Sequence, residues 1–412
     1  MKRYDLLIIG GGASGLAAAV SAKSLGVERI AVLERSARVG RKILATGNGR
    51  CNLSHDPVSA EDFRGSVDTA PIFQEFGDVK AFFENLGLYT RTDTAGRMYP
   101  YSMAASAVLD AFRLRMCADG VEEICDTPVL SLRREEELWY ARTAEEDYYA
   151  PYVIFAAGGH AAPKLGTDGS AWKLLKKLGI PLNEPLPNLC PVLSDEKVLR
   201  PLKGLRVKGE ITLYVKDDAV RTEVGEVQFT EKALSGICVF NLSGLIDTSR
   251  LTDHFLMFDP VPEIGIDMEN ILYTLQGTRF GMNCEEMLTG ILPKPLIRLI
   301  LRNSRISPEY PCTELTGREI RLLAVAIRSL TFPVRGLAGF EQAQSTRGGV
   351  PGSELDAHLQ VRSQPGLYIT GEAADVHADC GGYHLHWCWA SGYAAAAEIA
   401  RQLQAQTGKE QT

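Results

Sequence analysis

The residues with the plainest chemical use stand at the start of the chain. Gly10-Gly11-Gly12-Ala13-Ser14-Gly15 follows the apolar run Tyr4 to Ile9 and opens an Ala-rich stretch from Ser14 to Leu25. Strand, glycine turn and helix in that order form a pyrophosphate site. Gly10 permits the tight turn, Gly12 lets the backbone approach the phosphates, Gly15 lets the helix pack closely on the strand, and the helix N-terminus faces the negative charge. A second apolar run, Arg29 to Leu33, ends in Glu34, 19 residues beyond Gly15. That spacing places a carboxylate for the ribose hydroxyls and disfavours a ribose 2′-phosphate. The bland alternative is a glycine-rich turn between a strand and a helix. The motif alone leaves FAD and NAD open, since both present adenosine diphosphate to it.

Directly after Glu34 come Arg35 to Lys42, then Thr46-Gly47-Asn48-Gly49-Arg50-Cys51-Asn52. Arg41, Lys42, Asn48, Arg50, Cys51 and Asn52 thus supply cations, flexible backbone amides and amide side chains just past the ribose. This suits an extended cofactor lying over the loop; the competing reading is a solvated basic loop with turn glycines. Cys51 as a redox thiol lacks a nearby partner cysteine, which favours a packed or backbone-positioning role.

The elements that must carry these residues belong to a chain of 412 residues, 45% apolar and 23% charged, enough for two or three domains. A net charge of −7 offers no basic field for nucleic acid. Nine cysteines without a CxxC pair read as reduced thiols, and no apolar run reaches the length of a membrane span or a signal peptide. The expectation is a cytoplasmic protein of unassigned oligomeric state. Texture changes in the middle. Five prolines lie between Pro181 and Pro201. Gly209 to Val215 and Glu223 to Phe229 read as strands with Asp217-Asp218 as a hairpin turn, and Met268 to about Leu330 carries helical apolar faces. An α/β texture then returns, with a strand over Gly366 to Thr370, Gly371-Glu372 at its end, and an Ala-rich helix over Ser391 to Leu403.

With these blocks the sequence resembles, end to end, the BaiN-like and YhiN-like family of FAD-dependent oxidoreductases. The resemblance is carried by Gly10 to Gly15, Gly40-Arg41-Lys42, Gly47 to Asn52, Ala156-Ala157-Gly158-Gly159, Phe229-Thr230 with Leu234-Ser235-Gly236, Gly348-Gly349-Val350, Gly371-Glu372 and Gly381-Gly382-Tyr383. It implies an α/β fold: a Rossmann-like FAD-binding domain with an inserted β-rich, barrel-like domain and a small helical domain. The expected bounds are 1–190 for the first part of the FAD domain, 191–262 for the β-rich insert, 263–331 for the helical part, 332–350 for the return of the insert, and 351–412 for the rest of the FAD domain. The resemblance also assigns cofactor contacts to Val129, Ala157, Gly158, Gly371, Glu372, Asp375, Gly381, Gly382 and Tyr383, beside those of the first turn and loop. Backbone amides and a positive helix end near the flavin pyrimidine would stabilise its reduced, anionic form.

A flavin performs the difficult redox step itself, so few catalytic side chains are expected. Proton donors near its expected edge are Tyr383, His384, His386 and His377, with Asp375, Asp379 and Cys380 close in sequence. His384 is read as a general acid because imidazole titrates near neutral pH. His-x-His lacks the helical spacing of a hydrolytic zinc site, so no metal is expected. Family members usually carry Asn and Gln where this chain has His384 and His386. Trp387-Cys388-Trp389 is bulky, either lining a pocket for a flat apolar molecule or filling helix packing. His358 to Arg362 also departs from the family pattern. The leading expectation is a reductase passing hydride from reduced FAD to the C=C bond of an enone, such as a 3-oxo steroid or bile-acid intermediate. The alternatives are an amine oxidase using O₂, and a non-catalytic or RNA-associated flavoprotein. No second GxGxxG follows a strand, so NAD(P)H, as donor, would bind transiently.

Overall fold

Leu6–Ile9, Ile30–Leu33, Tyr152–Phe155 and Leu367–Ile369 are buried along their whole lengths, the pattern of strands covered on both faces. With Glu122–Ile124 they form a five-stranded parallel sheet in the order Leu367–Ile369, Tyr152–Phe155, Leu6–Ile9, Ile30–Leu33, Glu122–Ile124. The computed structural model describes residues 2–410. They fall into two compact units, one built from residues 2–188 and 340–410 and the other from Leu189–Gly339.

In the first unit the helix Ala13–Ser24 lies against the C-terminal helix Tyr383–Glu410. A side chain at Gly392 would come within 2.4 Å of the Ser14 carbonyl oxygen, so the two helices touch backbone to backbone. The C-terminal helix starts eight residues before the Ala-rich stretch that the sequence reading marks as helical. Trp387 and Trp389, 1% and 0% exposed, are core residues of its first turns. Their indole N–H groups donate to the carbonyls of Gly371 and Leu53, both at 2.9 Å, which removes the usual cost of burying tryptophan. Of the two readings of this bulky segment, helix packing is the one observed.

The second unit is a seven-stranded antiparallel sheet. Its centre is the hairpin of Arg206–Val215 and Asp218–Phe229, with His254–Asp259 and Leu330–Pro333 on one side. The hairpin turns at Lys216-Asp217, one residue earlier than expected, because Lys216 takes the left-handed conformation (φ 56°) and Asp218 already pairs with Val215. The helices Met268–Thr278, Lys294–Asn303 and Gly317–Arg328 share one apolar core with this sheet: Leu272, Ile297, Ile300 and Leu323 join Ile211, Leu213 and Phe258. Strand-rich and helical parts are therefore one unit. The return to the first unit comes at Phe340, inside the stretch 332–350 that the sequence reading gives to the insert. Ser345–Gly349 pairs antiparallel with Asn183–Asn188, a partner too far upstream to leave a local signal.

Candidate cofactor and substrate site

The glycine turn is shaped by steric necessity. A Cβ on Gly15 would lie 2.0 Å from the Gly10 carbonyl oxygen, so only glycine lets this helix meet its strand, while the space beside Gly12 is open to 4 Å. The helix begins at Ala13; the Ser14 side chain is buried, facing Gly371. Glu34, at the end of the next strand, accepts from the Gly11 amide (2.9 Å) with one oxygen and from the Ser36 amide (2.8 Å) with the other. Its carboxylate is thereby locked onto the glycine turn with lone pairs to spare. The loop carrying Val129 is tied to the same place, as the Thr127 and Asp126 amides donate to the carbonyls of Glu34 and Ser36. Ala157 and Gly158 follow Tyr152–Phe155, and the Gly158 carbonyl accepts from the Trp172 indole.

Lys42 reaches across to the other end of the sequence, pairing with both Glu372 oxygens at 2.9 and 3.0 Å. Arg41 is exposed and donates to the Lys164 carbonyl; Asn48 and Arg50 are exposed as well. Cys51 is fully buried, and burial pushes its thiol up to about 12, which leaves it without redox reactivity at neutral pH. The Asn52 side-chain oxygen is buried with no donor among the described residues. It lies 2.9 Å from where a Cβ on Gly382 would stand, and such a Cβ would also strike the Ser54 carbonyl oxygen at 2.5 Å. Gly381 and Gly382, at φ 147° and 100°, thus bring the start of the C-terminal helix directly against the 46–54 loop.

Gly371 donates its amide to Ser391 and accepts from Trp387. Asp375 is fixed by the scaffold. Its carboxylate accepts from Ser66 Oγ (2.7 Å), Asn183 Nδ2 (2.8 Å) and the Gly348 amide (3.1 Å), three donors of the scaffold.

The polar groups at the head of the C-terminal helix have defined states. Tyr383 stacks on His55, ring centroids 4.7 Å apart, and meets Phe63 edge-on. His384 Nε2 accepts from the Ala378 amide (3.3 Å) and lies 3.4 Å from Asn188 Nδ2. Burial, then the charges of His377, Lys42 and Arg64, push His384 down to about 3. Burial and the neighbouring positive charges thus favour the neutral imidazole. His377 is lowered to about 4, by burial and then by Arg64, which stands opposite it where Val376–Ala378 pairs with Phe63–Gly65. Arg64 in turn forms an ion pair with Asp379. His386 is 3% exposed, lies 2.9 Å from Ser54 Oγ, and is lowered to about 4 by burial. His358 belongs to a surface cluster with Glu75 and Arg401. Among the described residues no group of His, Cys, Asp and Glu could hold a metal ion, and no helix is long and apolar enough to cross a membrane.

Asn188, Arg64 and His55 escape sequence reading. Each is a single polar residue outside any motif, brought to Tyr383 and His384 by pairings between distant segments.

The family model described as the HI0933-like protein Rossmann domain matches residues 4–398. The chain belongs to the HI0933-like family. Among relatives of this HI0933-like chain, the 3-dehydro-bile acid delta(4,6)-reductase of Clostridium scindens is 32% identical over 400 residues, 94% of this chain and 97% of that one. The ribosomal RNA dihydrouridine synthase of Escherichia coli is 25% identical over 411 residues, 97% and 98% of the two chains. Of solved structures, the 3-ketosteroid delta1-dehydrogenase of Sterolibacterium denitrificans shares the fold, with a TM-score of 0.50 at 12% identity, covering 98% of this chain and all of that one.

The residues of the HI0933-like site fit FAD. Open space beside Gly12 at a helix start suits a pyrophosphate, Glu34 suits a ribose diol, and the orphaned Asn52 oxygen beside Gly382 suits an N–H donor such as a flavin pyrimidine carries.

Proposed function

We propose that this protein is an FAD-dependent reductase that saturates a ring C=C bond conjugated to a carbonyl, with 3-oxo steroid or bile-acid intermediates as its substrate class. The observation that carries this reading is the 32% identity, over nearly the whole of both chains, with a relative named for such a reduction. The name of the second relative describes the same change of bonds, since dihydrouridine is uridine with its ring C=C bond saturated. Two names that share a bond change but not a molecule support the reaction class more strongly than either substrate.

Bound FAD supplies the hydride and stores the electron pair. The chain's own residues do the rest. Gly10, Gly12, Ala13, Ser14 and Gly15 hold the pyrophosphate at the helix start, and Glu34 takes the ribose. The Val129 backbone, with Ala157 and Gly158, borders the adenosine. Arg41, Lys42 and Glu372 would flank the middle of the cofactor, while Asn48, Arg50, Asn52, Gly371, Gly381, Gly382 and Tyr383 would border the flavin, with Cys51 packed behind them. Amides at the start of the C-terminal helix would stabilise the negative charge that a bound flavin gains on reduction. Asp375 acts one step back, fixing Gly348, Ser66 and Asn183. NAD(P)H or another donor would bind transiently to supply the electrons. Nine free cysteines suit a reducing compartment, the cytoplasm.

RNA is the second substrate reading, favoured by the dihydrouridine synthases and opposed by a net charge of −7. Anaerobic photoreduction of the bound flavin, followed by stopped-flow mixing with 4-androstene-3,17-dione, uridine-containing RNA, or O₂, separates the readings. The steroid enone is expected to re-oxidise the flavin fastest and to gain two hydrogens by mass. Re-oxidation by O₂ alone, with amines reducing the flavin, would instead make the protein an amine oxidase. A flavin inert to every partner would make the cofactor structural.

A further inference from the structure

We propose that His384 is a catalytic hydrogen-bond donor: its neutral imidazole presents Nδ1–H to the carbonyl oxygen of the conjugated substrate and holds the charge that develops there, without giving up the proton. This rests on the reductase reading and assigns the electrophile for that reaction.

The geometry argues it in three steps. A backbone amide can only donate, so the Ala378 N–H fixes Nε2 as an acceptor, and the imidazole proton must sit on Nδ1. Asn188 Nδ2, the second neighbour of Nε2, reinforces the same tautomer. Nδ1 makes no hydrogen bond among the described residues, and His384 is only partly buried, so this donor, held in place at a helix start, stays open to a ligand. Lastly, the groups around the ring oppose a second proton. Lys42 and Arg64 are cations, paired with Glu372 and Asp379, and a protonated His377 would add a third positive charge.

The chemistry needs such a group. Hydride from reduced FAD adds to the β-carbon, the C=C electron pair moves to the α-carbon and carbonyl, and the substrate becomes an enolate with its charge largely on oxygen. A proton from solvent or a neighbouring acid then completes the α-carbon, for a net gain of one hydride and one proton. A neutral N–H is matched to an enolate: it stabilises the oxygen without protonating it, so charge remains available at the α-carbon. Loss of a preorganised donor of this kind costs about 10²–10³-fold in kcat.

The test compares FAD-loaded wild type with His384→Asn and His384→Leu in re-oxidation of the photoreduced flavin by 4-androstene-3,17-dione, alongside ¹⁵N-histidine NMR. Asn keeps an N–H donor that cannot titrate. The expected results are an Asn variant within about tenfold of wild type and a Leu variant slowed at least 100-fold at unchanged flavin content, with His384 giving a protonated Nδ1 and bare Nε2 from pH 8 to 5. A general acid would instead show both variants equally slow and an imidazole titrating near neutrality, and either result overturns the proposal. A Leu variant as fast as wild type also overturns it while leaving the reductase reading standing. Wild type inert to every enone overturns both. If the Leu variant loses FAD, the Asn variant and the NMR signature decide.

Discussion

Glu34 shows how one side chain serves two ends at once. Its two oxygens hold the Gly11 and Ser36 amides, so it shapes the glycine turn before any cofactor arrives, and its remaining lone pairs face the ribose in the proposed complex. Glu34→Ala is expected to weaken FAD binding at least tenfold and to destabilise the fold by about 1–3 kcal/mol through the two amides left unpaired. Flavin fluorescence on reconstitution and a denaturant curve measure these separately. An undiminished flavin content would remove the ribose assignment. Glu34 was legible because its distance from Gly15 is set by one strand–helix–strand unit. His384 was legible as a polar residue at a helix head, but its protonation was not. Its charge state depends on Ala378, Asn188 and Arg64, which reach it only through tertiary structure.

The C-terminal helix is the element in which packing and site are hardest to separate. Its alanines from Ala394 to Ala397 and Gly392 announce a close helix contact in the sequence, whereas its first turns, His384 to Trp389, look unlike a helix core because they are bulky and polar. They fold as one because each polar tip finds a partner: Trp387 at Gly371, Trp389 at Leu53, His386 at Ser54. Trp389→Ala is expected to cost about 3–5 kcal/mol in urea unfolding. Trp389→Phe should recover the packing while leaving the Leu53 carbonyl unpaired, a loss of about 1–3 kcal/mol. Equal stability of the Phe variant and wild type would show that this hydrogen bond contributes nothing net.

For the whole molecule, three histidines that the fold keeps neutral set a dependence on pH. Unfolded, each takes a proton near pH 6.5; folded, His377 and His386 wait until about 4 and His384 until about 3. Between those values the unfolded chain binds more protons. Stability is therefore full above pH 7 and falls as pH drops from about 6.5 towards 4, by up to about 1.4 kcal/mol per pH unit for each histidine. Urea midpoints at pH 7.5 and 5 should show the fall, and His386→Gln, which keeps a polar partner for Ser54, should make it shallower. Equal midpoints for wild type at the two pH values would contradict neutral burial. At this scale the chain ends were the legible part, since short-range glycine and apolar patterns specify them. The join near Phe340 depends on pairing across an insertion of 151 residues, Leu189–Gly339, and left no local trace. That interruption also orders events during synthesis. Chains emerge from the ribosome N-terminus first, yet the edge strand Leu367–Ile369 and the helix that covers Ala17 and Ala18 are among the last segments made. The nucleotide turn therefore stays uncovered while the inserted unit, contiguous in sequence, is already free to fold. A nascent chain that has released Gly339 but not Gly366 from the ribosome would hold a finished insert and no place for its cofactor.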